Sequence, residues 1–198
     1  MIRNVIFDLG GVLITWRPEE IIDGFYSDPA LREAVRRDVF QHPDWLEMDR
    51  GTYDEPTVGA RFAARMGRPE SEMAALFEHV RESLRPMPAT VALLEDLRDR
   101  RLSLYALSNI SEPMFRHIEA RYEFFKLFHG IVISGAIKMV KPDAQIFEHL
   151  AQRFGLTLAE SVFIDDLERN VASARRLGLA AIQFESPEQC ARELDRLL

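Results

Sequence analysis

Short apolar runs that end in polar residues alternate with amphipathic stretches along much of the chain. The first run lies in Val5–Gly11, where three apolar residues lead into an acid, a leucine and two glycines. This order predicts a buried strand followed by a tight turn. Four later runs of the same kind also predict buried strands. They cover residues 102–107, 130–134, 161–164 and 180–184.

Stretches with the spacing of amphipathic helices lie between and after these runs. The predicted helices cover residues 88–100, 112–122, 142–154, 168–177 and 187–197. Strands that alternate with helices of about ten residues indicate βαβ units and a parallel sheet. The sequence therefore predicts the α/β fold class, with a sheet of about five strands.

The segment between the first and second predicted strands has a different character. It shows no strand signal, and several of its helical stretches open on a proline, which the first turn of a helix accepts. These stretches cover residues 18–25, 29–40, 43–48, 55–66 and 69–84. We therefore expect two domains, an α/β core of residues 1–15 and 88–198 and an all-helical domain of residues 16–87 inserted after the first strand.

Charge and composition narrow the range of partners. The 198 residues include 25 Lys and Arg against 32 Asp and Glu, a net charge of −7, which disfavours binding to nucleic acid. The one cysteine, Cys190, cannot form an internal disulfide. No apolar run approaches the roughly 18 residues of a membrane span, and no signal peptide precedes the first strand. We expect a cytoplasmic protein without nucleic-acid or membrane partners.

Polar residues stand where three of the predicted strands end. Asp8 follows the first strand, Ser108 and Asn109 follow the second, and Asp165 and Asp166 follow the fourth. In open α/β sheets the chemistry lies at the carboxyl ends of the strands, so these side chains are expected to converge. Converging carboxylates repel one another, and Mg²⁺ is a cation that favours such a set together with phosphate oxygens.

Each of these residues alone also has a simpler explanation. Asp166 and Ser108 can act as helix caps, and Lys141, which precedes Pro142, can be a surface lysine. Taken together, these residues fit the binding of a phosphorylated ligand better than they fit separate structural roles. A hydroxyl with backbone N–H groups can hold phosphate oxygens, and a compact ammonium can offset charge during phosphoryl transfer.

Four segments in this order resemble the motifs of the haloacid dehalogenase-like (HAD) hydrolase superfamily. They are Phe7–Leu13, Leu107–Asn109, Lys141-Pro142 with Ile146-Phe147, and Phe163–Asn170. The resemblance implies a Rossmann-like sheet in the order 3-2-1-4-5 with helices on both faces, and the helical insert falls where the family places its C1 cap. Within the superfamily the chain most resembles α-D-glucose-1-phosphate phosphatases and the N-terminal phosphatase domain of soluble epoxide hydrolases.

The resemblance also implies roles for the acids. Asp8 would be the nucleophile that forms an aspartyl-phosphate. Asp8, the backbone carbonyl of Gly10 and Asp166 would hold Mg²⁺, while Asp165 and Asn170 would orient that set or bind through water. Which acid of the pair binds the metal directly stays open from the sequence.

A second group of residues would bind the substrate. By the same resemblance, Ser108, the Asn109 amide and Lys141 would clamp the transferring phosphoryl group, which agrees with the need of phosphoryl transfer for positioning and charge neutralisation. The expected partner is a small phosphorylated metabolite, with a sugar phosphate favoured.

The chain departs from the family pattern at Gly10. An aspartate usually stands there, two residues after the nucleophile, and protonates the leaving alkoxide; such help is typically worth about 10²–10⁴ in rate. His42, Glu47 and Asp49 are candidates for an acid supplied by the insert, and Asp49-Arg50-Gly51 resembles a cap-loop element of the glucose-1-phosphate phosphatases.

Aromatic residues are available to line a pocket or to fill the core of the insert, namely Trp16, Phe25, Phe40, Trp45 and Phe62.

Three functions follow, and the first is favoured. The chain is expected to be a Mg²⁺-dependent phosphatase of a small phosphomonoester. The second is a 2-haloacid dehalogenase, because halide leaves without a proton and the acid missing at Gly10 would cost little. Against it, dehalogenases of this superfamily need no metal, and Asp165-Asp166 with Asn170 is the metal-binding type of motif. The third is a non-catalytic HAD-like protein, which the retained nucleophile, serine, lysine and acid pair disfavour.

Overall fold

Five parallel strands form one sheet at the centre of the protein. The structure is a computed structural model, and it describes residues 2–198. The strands follow the order β3-β2-β1-β4-β5, which confirms the predicted class and order. Their bounds are β1 Asn4–Phe7, β2 Ser103–Ser108, β3 Gly130–Ile133, β4 Ser161–Asp165 and β5 Ala180–Gln183.

Helices cover both faces of this sheet and fill the segment after β1. The segment after β1 contains α1 Pro18–Phe25, α2 Pro29–Val35, α3 Pro43–Arg50, α4 Glu55–Met66 and α5 Glu70–Ser83. The remaining helices are α6 Pro88–Asp99, α7 Glu112–Arg121, α8 Ser134–Ile137, α9 Ala144–Phe154, α10 Glu168–Arg176 and α11 Pro187–Leu197. Across residues 2–198, none of the helices has the length and apolar character needed to cross a bilayer.

Alternate residues of the strands enter two hydrophobic clusters on opposite faces of the sheet, as the period of two requires. In β1, Val5 and Phe7 join one cluster and Ile6 joins the other. The first cluster continues into the helical segment, where it includes Phe62 and Met73. One face of the sheet and the helices that follow β1 therefore share a continuous core, which holds these helices over the carboxyl end of β1.

Two neighbouring segments connect the helices α1–α5 to the sheet. The backbone N–H of Thr15 donates to the carbonyl of Arg85 at 2.8 Å, and that of Met87 donates to the carbonyl of Leu13 at 2.8 Å. The Thr15 hydroxyl also donates to the carbonyl of Ser83 at 2.7 Å. The chain thus leaves the sheet and returns to it at adjacent points.

The structure differs from the predicted elements in a few places. The single helix predicted over residues 29–40 is an α-helix to Val35 that continues as a π-helix over Arg36–Phe40. The helix predicted from Pro142 begins at Ala144, because residues 140–143 form a turn in which the Asp143 N–H donates to the Val140 carbonyl. Helix α8 and two short 3-10 segments, Glu123–Leu127 and Leu158–Glu160, were not predicted.

Candidate active site

Asp8 lies immediately after β1 at the carboxyl end of the sheet, where it is buried. Its backbone N–H donates to the carbonyl of Ile164 in β4 at 2.8 Å. The N–H of Leu9 donates to the Asp8 side chain at 2.7 Å. The pairing of β1 with β4 therefore fixes both the backbone and the carboxylate of Asp8.

Lys141 brings a buried positive charge to this carboxylate. Its Nζ lies 2.8 Å from Oδ1 of Asp8 and 2.7 Å from Oδ2 of Asp165. The Asn109 side chain holds the Lys141 backbone on both sides, since its Nδ2 donates to the Lys141 carbonyl at 2.9 Å and its Oδ1 accepts from the Lys141 N–H at 2.8 Å. Asn109, at the end of β2, thus positions the lysine that contacts Asp8.

The two acids after β4 have different surroundings. Asp165 is fully buried, and besides Lys141 it accepts hydrogen bonds from the Leu167 N–H at 2.9 Å and from Nδ2 of Asn170 at 3.0 Å on each carboxylate oxygen. Asp166 is half-buried and lines the cavity above Asp8. The first acid is engaged by protein groups, while the second faces the space a ligand would enter.

The three carboxylates form a set that fits a metal ion. One oxygen from each of Asp8, Asp165 and Asp166 lies within 4.8 Å of the other two. Lys141 supplies one positive charge beside these three carboxyl groups. Oxygen ligands with excess negative charge are the chemistry that Mg²⁺ favours, so the donor set fits a divalent cation.

Burial and charge shift the ionisation of this cluster. Burial raises the pKa of Asp8 to about 8, with the neighbouring carboxylates of Asp165 and Asp166 adding to the rise and Lys141 opposing it. Burial disfavours the charge on Lys141, but Asp8 and Asp165 more than offset that cost and hold its pKa above the usual range. The pKa of Asp166 is also raised, by burial and by Asp165.

Two glycines follow Asp8, and Gly11 leaves room for a neighbouring side chain. Gly11 has a φ of +76°, and a Cβ built there would lie 2.5 Å from Oδ2 of Asp166. Gly11 is therefore required both by the backbone conformation and by the carboxylate beside it. A Cβ at Gly10 would lie 3.5 Å from Cβ of Trp16, so Trp16 occupies the space beside the position that usually carries the second aspartate.

A cavity of about 510 Å³ opens above these acids, between the sheet edge and the helices α1–α5. Three aromatic side chains line one wall and contact one another. The ring centroids of Trp16 and Trp45 are 5.7 Å apart, those of Phe40 and Trp45 are 4.7 Å apart, and those of Trp16 and Phe40 are 6.1 Å apart. We call these three residues the aromatic wall. The other apolar lining residues are Leu9, Ile14, Pro18, Pro43, Leu46, Leu84, Ile110, Met114, Ile118 and Leu167.

Asp49 enters the same cavity from α3. Burial raises its pKa well above the usual range, although the Ser111 N–H and the Trp45 side chain favour the charged form. Its backbone carbonyl accepts a hydrogen bond from the Ser134 hydroxyl at 2.5 Å, which ties the end of α3 to the sheet. A carboxyl group whose pKa is raised therefore faces the cavity.

The other two polar candidates in α1–α5 have different positions. His42 lines the cavity, but its Nδ1 accepts a hydrogen bond from the Asp44 N–H at 3.1 Å and caps α3. Glu47 is not among the lining residues, and its carboxylate accepts from Arg50 at 3.3 Å.

The structure brings nearly all of the predicted site residues to one cavity. Its lining includes Asp8, Gly10, Ser108, Asn109, Lys141, Asp166 and Asn170. Asp165 lies beneath them, in contact with Lys141 and Asn170. Ser134, whose hydroxyl donates to the Asp49 carbonyl, was not among the predicted residues, although it follows β3 at the same sheet edge. Met114 and Ile118 also line the cavity, and no sequence pattern comparable to the strand-end rule predicted this.

The sequence model of the haloacid dehalogenase-like hydrolase family matches residues 2–178. The chain belongs to this family. The sesquiterpene phosphatase astK of Aspergillus oryzae is 30% identical over 196 residues, which are 99% of this chain and 96% of that protein. The drimenol cyclase drtB of Aspergillus calidoustus is 30% identical over 200 residues, and the match spans 37% of its length.

Solved structures of the family share the fold. A HAD-family enzyme from Bacteroides thetaiotaomicron, solved with magnesium and inorganic phosphate, has a TM-score of 0.75 and 23% identity, with 93% of this chain and 95% of that chain covered. The HAD-like hydrolase fold of the present chain therefore extends over both the sheet and the helices that follow β1.

Proposed function

We infer that this HAD-like hydrolase is a Mg²⁺-dependent phosphatase that acts on a small phosphomonoester through an aspartyl-phosphate. The observation that carries the proposal is the cluster of Asp8, Asp165 and Asp166 around Lys141 at the floor of the cavity. In this proposal residues 1–15 and 88–198 form the catalytic core, and residues 16–87 form a cap that closes the cavity over it.

Asp8 is the nucleophile in this scheme. A carboxylate oxygen of Asp8 forms a bond to phosphorus while the bond from phosphorus to the ester oxygen breaks, and the leaving alcohol takes up a proton. Water then attacks the phosphorus of the aspartyl-phosphate, which releases inorganic phosphate and restores the carboxylate. The hydrogen bond from the Leu9 N–H and the contact with Lys141 keep the Asp8 carboxylate oriented for the attack.

Three groups would hold the magnesium, namely the carboxylates of Asp8 and Asp166 and the backbone carbonyl of Gly10. When bound, Mg²⁺ neutralises charge on the transferring phosphoryl oxygens. Asp165 supports this set from beneath, because Lys141, Asn170 and the Leu167 N–H already engage its oxygens.

The phosphoryl group would lie between this metal set and the end of β2. Ser108 lines the cavity and can donate its hydroxyl, and Lys141 supplies a fixed positive charge. The Asn109 side chain is engaged with the Lys141 backbone, so its own backbone N–H is the group proposed for the phosphate contact.

The astK protein, a relative named as a phosphatase, supports the reaction class, since it matches this chain almost from end to end. A sugar phosphate, favoured by the resemblance in sequence, stays a prediction, as does a cytoplasmic location. Above the phosphate-binding residues, the cavity offers few groups for sugar hydroxyls, namely Gln41, His42, Asp49 and Arg169.

Hydrolysis of p-nitrophenyl phosphate with and without EDTA tests the proposal. We expect turnover that EDTA abolishes and that added Mg²⁺ restores, and we expect none from the Asp8→Asn variant. Halide release from 2-chloropropionate in the presence of EDTA would instead identify a dehalogenase. Phosphate release that is unchanged by EDTA would contradict the metal assignment.

A further inference from the structure

The cavity above Asp8 has an apolar wall. The Trp45 side chain is buried, while Trp16 and Phe40 are half-buried and line the open space. Met114 and Ile118 of α7 line the same cavity and are themselves buried. Sugar hydroxyls placed against such a wall would lose hydrogen bonds to water without replacement.

The other polar side chains of the cavity either already form hydrogen bonds within the protein or are exposed at the edge of the cavity. Nδ1 of His42 caps α3, and Asp49 is held by the Ser111 N–H and the Trp45 side chain. Arg169 is exposed on α10. A hexose carries several hydroxyls around its ring, while the polar side chains in this part of the cavity are these three and the exposed Gln41.

The relationship between Gly10 and Trp16 adds a second, independent observation. A Cβ at Gly10 would meet Cβ and Cγ of Trp16 at 3.5 and 3.8 Å. The chain thus has a large flat side chain directly beside the loop that follows Asp8. Aromatic surface next to the reacting phosphate favours an apolar group on the first atoms of the leaving alcohol.

We propose that the substrate is a phosphomonoester of an apolar alcohol, whose hydrocarbon part packs against the aromatic wall of Trp16, Phe40 and Trp45. This proposal rests on the proposed phosphatase function. It selects hydrocarbon alcohols over sugars by the burial of apolar surface, which sugar phosphates cannot match. An aryl and an isoprenoid alcohol share this chemistry, and the experiment separates them.

The experiment compares substrates that differ in one property at a time. Cyclohexylmethyl phosphate and glucose 6-phosphate each carry a six-membered ring on a primary phosphate ester, but only the second has ring hydroxyls. We expect kcat/KM to be roughly 10²-fold higher for the cyclohexyl compound, as hydrophobic pockets discriminate by about 10–200-fold per group. 1-Naphthyl phosphate and farnesyl monophosphate then show whether the wall prefers an aryl or an isoprenoid group.

Acetyl phosphate separates this proposal from the phosphatase function itself. It has a small leaving group that needs neither the wall nor a proton donor. The protein could hydrolyse acetyl phosphate in an Asp8-dependent manner but prefer glucose 6-phosphate or glucose 1-phosphate to cyclohexylmethyl phosphate. In that case the phosphatase function stands and the apolar substrate class is wrong. If no phosphate ester is hydrolysed, the phosphatase function fails first.

Trp16→Ser tests the wall directly, with Trp16→Phe as the conservative variant. The serine variant should lower kcat/KM for cyclohexylmethyl phosphate relative to acetyl phosphate by about tenfold or more, and the phenylalanine variant should restore most of that ratio. Phe25→Leu is the matched control, because Phe25 packs on Tyr26 and His79 and does not line the cavity. An equal loss in the Phe25 variant would contradict the assignment.

Intrinsic fluorescence gives a readout that does not depend on turnover. Both tryptophans of the chain, Trp16 and Trp45, belong to the aromatic wall. Titration of the Asp8→Asn variant with cyclohexylmethylphosphonate should therefore change the tryptophan emission and saturate, whereas glucose 6-phosphate at the same concentrations should not. Saturable changes with the sugar phosphate alone would overturn the proposal.

Discussion

Nζ of Lys141 lies 2.8 Å from Oδ1 of Asp8, and both side chains are buried. The ammonium keeps a negative charge tolerable at this position and fixes the carboxylate in one orientation. If Lys141 were the only cation nearby, this contact would reduce the nucleophilicity that is proposed for the Asp8 carboxylate. Its second contact, with Asp165, shares the lysine between two acids and leaves the Asp8 charge only partly neutralised.

The Asp8→Asn variant should lose activity by about 10³-fold or more, because an amide cannot attack phosphorus as an anion. The fold should persist, since Lys141 keeps its contact with Asp165 and the crowded acids lose one negative charge. Phosphate release by the purified variant, together with its circular dichroism spectrum, checks both parts. Hydrolysis near the wild-type rate would remove Asp8 as the nucleophile.

Asp166→Asn and Asp165→Asn should have different effects. Asp166 faces the cavity, so its variant should raise the Mg²⁺ concentration for half-maximal activity by about 10-fold or more, with little change in thermal stability. Asp165 is buried among Lys141, Asn170 and the Leu167 N–H, so its variant should lose about 3 kcal/mol, or roughly 6–12 °C in Tm.

Metal titrations and thermal melts of these two variants form one experiment. If the Asp165 variant shows the larger shift in Mg²⁺ requirement and the Asp166 variant the larger drop in Tm, the two acids have the opposite assignment.

Asp49→Asn tests the origin of the proton for the leaving alcohol. Burial raises the pKa of Asp49, which favours the protonated form that can act as a proton donor. Its loss should slow alkyl phosphates by about 10² or more and spare aryl phosphates, whose leaving groups need no proton. Glu47→Gln, in the same helix but away from the cavity lining, is the matched control.

The slope of log kcat/KM against leaving-group pKa is the measurement for this pair. It should become steeper in the Asp49 variant and stay unchanged in the Glu47 variant. A slope that is flat in the wild type and flat in the Asp49 variant would point to proton transfer by water or by the substrate.

The end of α3 should be sensitive to a single methyl group. Gly51 has a φ of +78°, and a Cβ there would collide with the carbonyl of Gly135. Gly67 has a φ of +62° at the end of α4 with open space around it. Gly67→Ala therefore measures the cost of the backbone conformation alone, about 1 kcal/mol, and Gly51→Ala should cost about 1–3 kcal/mol more.

Activity separates the two glycine variants further. Gly51→Ala should lower kcat/KM because Asp49 and Trp45 lie on the helix that ends there, while Gly67→Ala should not. Equal changes in Tm for the two variants would show that a Cβ at Gly51 does not collide with Gly135.

The sheet could be predicted from the sequence because its strands are nearly continuous apolar runs, each followed by a polar residue. The same property located Asp8, Ser108 and Asp165, since the carboxyl ends of parallel strands share one edge. Periodicity did not show that the helix after residue 29 widens into a π-helix at Arg36–Phe40, because both forms bury similar side chains.

The upper part of the cavity was less accessible to prediction. Trp16, Phe40 and Trp45 were recognised as available aromatics, but their contact depends on how α1–α5 pack together. Met114 and Ile118 line the cavity only because of the rotation of α7 against the sheet, which no local pattern encodes. The placement of the strand-end residues follows from strand order, while the aromatic wall follows from tertiary packing.

The paired connections at Thr15 and Arg85 have a consequence for how such proteins diversify. These residues are 70 positions apart in the chain, yet their backbones share a hydrogen bond. Because the two ends of the inserted segment are adjacent, the segment connects to the sheet as a short turn would. Segments with neighbouring ends are tolerated as insertions. Under the proposed function, a different helical unit grafted at this junction would change the part of the alcohol-binding cavity that α1–α5 supply, while the strand-end residues would keep their register.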